Sequence, residues 1–99
     1  MNRVELSGSL IELGKLRYTP AGLAVLEFRI QHESEQGEAG ATRKVSAEVV
    51  AMAFEAQARL VAGARLGAAL RAGGFLAAKS RRSKKLVLHV TDIEFIEGA

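Results

Sequence analysis

Along much of the chain, apolar residues occupy every second position. Between positions 3 and 13, Val4, Leu6, Gly8 and Leu10 share one parity, while Arg3, Glu5, Ser7 and Ser9 take the other. A period of two marks a half-buried strand. Gly8 inside the run predicts a sharp bend or bulge where a small barrel turns a corner. Residues 14–22 read as a loop, since Pro20 sets φ and Gly22 tolerates positive φ. The cleanest alternation covers residues 24–32, with Ala24, Leu26, Phe28 and Ile30 on one side and Val25, Glu27, Arg29 and Gln31 on the other. Residues 33–42 lack a periodic apolar face and predict a solvated loop. A third strand follows from Lys44, with Val45, Ala47, Val49 and Ala51 on one side.

Residues 54–63 are the one good helical stretch. Strong helix formers fill it, and Gly63 stands where a C-terminal cap belongs. It is too short to be stable alone. A fourth strand is expected over residues 65–77, with strong curvature permitted at Gly73-Gly74. A fifth covers residues 86–96, and a change of apolar parity from Leu86/Leu88/Val90 to Ile93/Phe95 predicts a bulge near Asp92. The order β-β-β-α-β-β is that of an all-β OB-fold, a five-stranded partly open Greek-key barrel with one short helix between strands 3 and 4. A βαβ layout needs more helices. An SH3-like barrel lacks a two-turn helix at this place, though other small barrels and α+β folds compete with the OB reading.

The 99 residues make one domain, 1–99. With aromatics at 5%, the core is modest, and pairing with a second copy would bury more apolar surface. Cysteine is absent, which excludes disulfides, thiolate metal sites and cysteine nucleophiles. No uncharged run approaches the ~20 residues of a membrane span, and the opening residues carry no apolar leader. The expectation is a cytoplasmic protein without membrane association.

The net charge of +3 is small, but its placement is uneven. Residues 1–55 hold six basic and eight acidic side chains, whereas residues 56–91 hold eight basic and none acidic. Five of those eight, Lys79, Arg81, Arg82, Lys84 and Lys85, fall within seven positions. Like charges packed so closely repel one another and contribute nothing to folding. Against a phosphate backbone the same cluster releases condensed counterions. Arginines fork to phosphate oxygens, and lysines act as mobile point charges.

Catalysis asks for converging titratable groups. His32 and His89 are the only imidazoles, and both lie in predicted strands. No metal-ligand spacing, Walker pattern or dinucleotide fingerprint occurs. No enzyme activity, metal or cofactor is expected.

In an OB-fold the loops joining strands 1–2 and 4–5 flank the oligonucleotide face. Here the first carries Lys15, Arg17 and Tyr18, and the second carries the basic cluster. Arg29, Arg43 and Lys44 can extend the track across the surface, although Glu27 beside Arg29 is an alternative partner for it. His89 is a candidate stacking or phosphate contact. Phe28 is in phase with the core, and Phe54 is expected to join helix to barrel. Tyr18 is then the best-placed ring for a base, with Phe75 second. Binding is expected to be mostly electrostatic and weakly selective. A competing reading makes the protein an OB-fold adaptor whose basic loop docks an acidic protein partner. Another makes it an RNA-binding module.

Three stretches carry a family resemblance: residues 2–8 (NRVELSG), 28–34 (FRIQHES) and 86–94 (LVLHVTDIE). With the length and the basic segment before the last strand, they make the whole chain similar to primosomal replication protein N, the PriB family. That resemblance implies an OB fold, a homodimer, single-stranded DNA binding and a role in restarting stalled forks. It implies as partners the PriA helicase, DnaT and single-stranded DNA-binding protein. The family's DNA-binding lysines match positions within residues 79–85. Where best-known members place a phenylalanine and a tryptophan against bases, this chain has Ala41 and Ser46.

Overall fold

Each alternating stretch has one apolar side, and closing the strands on themselves buries all of those sides at once. The computed structural model describes residues 1–96. Its elements are β1 (Val4–Leu13), β2 (Arg17–Tyr18), β3 (Ala24–Glu38), β4 (Ala41–Phe54), α1 (Ala56–Ala62), β5 (Ala69–Ala78) and β6 (Leu86–Phe95). The strands run in the order β1-β5-β6-β4-β3-β2, and a further β1–β3 pairing closes the five long strands into a barrel. Pairing is antiparallel except for β4 with β6, where Met52 stands opposite His89. This is the OB topology expected from the element order. The two-residue β2, which lies in the expected first loop, pairs with the start of β3.

The interior is filled by Leu10, Leu26, Phe28, Ile30, Leu70 and Leu88, all 2% exposed or less. The inward parity expected for residues 24–30 is therefore observed. The helix α1 buries Ala58 and Val61 and packs against β3, β4 and β6. It starts at Ala56, two residues later than expected, and Phe54 ends β4.

Four expectations need correction. Residues 33–42 are not a loop: β3 and β4 continue past the barrel as a long hairpin arm, paired in unbroken register from Val25↔Phe54 to Glu38↔Ala41. Its tip is a two-residue turn with φ of 53° at Ala39 and 78° at Gly40, the primed turn that matches strand twist. Second, the bulge in β1 falls between Leu10 and Glu12, not at Gly8. Gly8 is a point of close approach, where a Cβ would lie 2.6 Å from Ile30 Cγ2. Third, the fourth long strand begins at Ala69, because Gly67 (φ 90°) turns the chain just before it. Leu66 is consequently 64% exposed. Fourth, β1 is no simple edge strand. It pairs with β3 over residues 9–13, while residues 4–9 pair with β5. The expected bulge near Asp92 is present: Gly73 faces Asp92 and Gly74 faces Val90, leaving Thr91 as the extra residue.

Candidate nucleic-acid interface

Residues directly opposite one another in a ladder point to the same side of the sheet. The register therefore defines the outward side of the barrel strands, on which Val25 and Val87 are nonetheless buried. One cross-strand row runs Arg17, Val25, Phe54. The next runs Glu27, Met52, His89, Phe75 across β3, β4, β6 and β5. Further along β5 and β6 the same side carries Ala77 with Val87, and Lys79 and Lys85 follow just beyond the strand ends. Lys79 N–H donates to the Lys85 carbonyl at 2.8 Å, which closes the base of the basic loop.

Above that base, the Ser80 side chain shapes the loop. Its Oγ accepts from the backbone N–H of Ser83 at 3.0 Å and of Arg82 at 3.3 Å. Ser80 N–H also donates to the Ser83 carbonyl. Serines in turns commonly act in this way. The result is a tight hairpin that holds Arg81, Arg82, Lys84 and Lys85 in water, all of them exposed.

The charge partners sort the sequence-predicted residues. Among the described residues, Arg81, Arg82, Lys84, Lys85, Lys15, Arg17 and Lys44 form no ion pair, whereas Lys79 reaches Glu27 at 4.0 Å. Arg29 is drawn between Glu12 at 3.1 Å and Glu48 at 3.7 Å, so its charge is largely spent within the protein. Arg43 pairs with Glu38 at 2.7 Å. Arg43 and Lys44 lie on the arm, where Lys44 is about 26 Å along β4 from Met52. The structure thus brings Arg17, Lys79, Lys85 and His89 to one face, and leaves Arg43 and Lys44 well away from it. Tyr18, beside Arg17 on β2, is 61% exposed.

Sequence reading missed Phe54 as a surface residue. Its ring stacks on His89 with centroids 5.9 Å apart, and Phe75 stacks on His89 at 5.1 Å, both within 14° of parallel. The parity held the signal. Phe54 is out of phase with buried Ala51 and Ala53, as Phe75 is with buried Ala72 and Gly74.

A second surface cluster sits beside the face. Arg3 donates to Glu5 and to Asp92, each at 3.2 Å. Those hydrogen bonds, Glu5 first, hold its guanidinium pKa above the ordinary value. Among the described residues no group of histidine and acidic side chains could hold a metal ion, and no helix is long and apolar enough to cross a membrane.

A closed OB barrel with an unneutralised cationic hairpin and surface rings is the architecture of single-strand-binding proteins. Residues 2–92 match a family described as "another single-strand binding protein family". Replication restart protein PriB of Nitrosomonas europaea is 41% identical over 95 residues, covering 96% of this chain and 88% of that protein. The structure of PriB from Ralstonia solanacearum superimposes with a TM-score of 0.87 at 28% identity, covering 96% of this chain and 97% of that one. The single-stranded DNA binding protein of Thermus aquaticus gives a TM-score of 0.77 at 25% identity, covering 99% of this chain and 51% of that one. The chain belongs to the PriB family of replication restart proteins. That is a family of DNA-binding accessory proteins, not of enzymes.

Proposed function

We infer that this protein binds single-stranded DNA along the β5–β6 hairpin and the adjoining outer face, as an accessory factor in restarting stalled forks. In that role it steadies and stimulates the PriA helicase on DNA and helps reload the replicative helicase in the cytoplasm. DnaT and single-stranded DNA-binding protein are its further partners. The designation its relatives share supports the process, and the likeness to the Thermus aquaticus protein supports the ligand.

One observation carries the reading: four cations of the hairpin have no carboxylate partner among the described residues, while Arg29 and Arg43 elsewhere are paired. A like-charged cluster kept free of neutralising acids is disposed toward a polyanion. A homodimer fits the same reading. Residues 4–7 of β1 pair with β5 alone, so their open side can meet the same segment of a second copy across a two-fold axis. Sedimentation that finds only monomer at micromolar concentration would remove the dimer.

The test of DNA binding is the slope of log affinity against log salt, measured with single-stranded and duplex oligonucleotides. Replacing Arg81, Arg82, Lys84 and Lys85 by Ala should flatten the single-strand slope by up to about 3, given ~0.7 per phosphate contact. If DNA binding is unchanged at low salt while helicase binding is lost, the hairpin docks protein, and the adaptor reading replaces this one.

A further inference from the structure

We propose that the ladder formed by Phe54, His89 and Phe75 is a base-stacking site for single-stranded nucleic acid, set on the same face as the cationic hairpin.

The geometry of the ladder leaves a specific surface open. The strand β6 lies between β4 and β5, so His89 is flanked by Phe54 on one side and Phe75 on the other. Both faces of the imidazole are taken, and its role is to space and align the phenyl rings. Phe75 also gives one face to His89, yet it remains 40% exposed. The chain beside it is thin there: β1 begins at Val4 opposite Gly74, and only residues 2 and 3 run past Phe75. Beyond that point the Leu76 backbone is satisfied by the Asn2 side-chain amide, which donates to the Leu76 carbonyl at 2.7 Å and accepts from its N–H at 2.9 Å. Arg3 is held over Gly73 by Glu5 and Asp92.

Charge then chooses the occupant. Phe75 and Ala77 alternate along β5, opposite His89 and Val87 of β6, with Val87 buried. Lys79 and Lys85 follow just beyond the strand ends, hydrogen-bonded to each other through their backbones, so rings and cations belong to one ribbon. At about 3.3 Å per residue the lysines stand roughly 13 Å from the rings. A ligand that meets both must carry flat π surfaces on a flexible anionic chain. Single-stranded nucleic acid does so, whereas a duplex keeps its bases stacked inside.

This inference rests on the single-strand reading above, and the experiment separates the two. Binding is measured for an oligothymidylate and for an abasic oligonucleotide of equal length and charge, with the unaltered protein and with Phe75→Leu. The expected result is tighter binding of the oligothymidylate by the unaltered protein. Phe75→Leu should lose about tenfold for that strand, the scale of one base–ring stack, with no change for the abasic strand or in the salt slope. Equal binding of both strands by the unaltered protein overturns the stacking site alone; binding of neither overturns it together with the single-strand reading. Should Phe75→Leu misfold, photo-crosslinking of the unaltered protein to an iododeoxyuridine strand decides the matter. Adducts at Phe54, Phe75 or His89 support the site, and adducts confined to Tyr18 and the arm overturn it.

Discussion

Lys79 Nζ lies 4.0 Å from Glu27 Oε1, so the root of the cationic hairpin leans over the outer face of β3. Glu27 is the acidic end of the row that contains His89 and Phe75. Both side chains are about half exposed, and a pair of that kind contributes roughly 0–1 kcal/mol to stability. Its larger effect is electrostatic, because the carboxylate faces any polyanion laid across the surface. Glu27→Gln should leave the melting temperature nearly unchanged. It should raise affinity for a single-stranded oligonucleotide by about two- to fivefold at low salt, the equivalent of one such surface interaction. Titration by fluorescence anisotropy checks it; an unchanged or weaker affinity would place the DNA path elsewhere.

Cations that are already paired should count for less than free ones. Lys84 has no acidic partner among the described residues, and Arg43 is held by Glu38 at 2.7 Å on the arm. Lys84→Ala is expected to lower the salt slope by about 0.7. Arg43→Ala should change it by less than half as much. Equal losses for the two variants would mean that the arm contacts phosphate as closely as the hairpin does.

The ladder depends on a glycine beneath it. A Cβ on Gly74 would overlap the carbonyl oxygen of His89 and come within 3.1 Å of Val90 Cα. The obstacle is backbone, which cannot rotate away as a side chain can. Gly74→Ala should therefore destabilise the fold by about 3 kcal/mol or more, or prevent it from forming. Gly37, with nothing within 4 Å of a Cβ, provides the control; Gly37→Ala should change stability by less than about 0.5 kcal/mol. Urea unfolding of both variants measures the difference.

The arm tip carries a residue that its turn does not favour. Ala39 has φ of 53°, a left-handed conformation that costs a residue with a Cβ about 1–2 kcal/mol and that asparagine tolerates better. Ala39→Asn creates the Asn-Gly pair preferred in such turns. It should strengthen the hairpin by about 0.5–1 kcal/mol, read as slower amide exchange along residues 33–46.

The arm also shows where periodicity stops being informative. In residues 24–30 every second side chain enters the core, and the alternation is plain. Past the rim of the barrel the same two strands continue, but neither side meets an interior. Glu33, Glu35 and Glu38 are exposed there. Backbone hydrogen bonds between β3 and β4 sustain the pairing, and these leave no trace in the pattern of apolar residues. The candidate site divides in the same way. Its cations were legible because their clustering is local in the chain, whereas the partners of Arg29, supplied by Glu12 and Glu48 from two other strands, were not.

By itself the order of residues determined the strand parities, the single helix, the bulge near Asp92 and the concentration of positive charge before the last strand. All of these are written at separations of a few positions, where backbone geometry alone dictates which side chains are neighbours. Tertiary structure decided which cations stay free and that Phe54, His89 and Phe75 become one stack. Those three rings come from strands that meet only through the parallel β4–β6 pairing and the kinked β5–β6 ladder. Such contacts depend on how the barrel closes, and closure is a property of the whole set of strands.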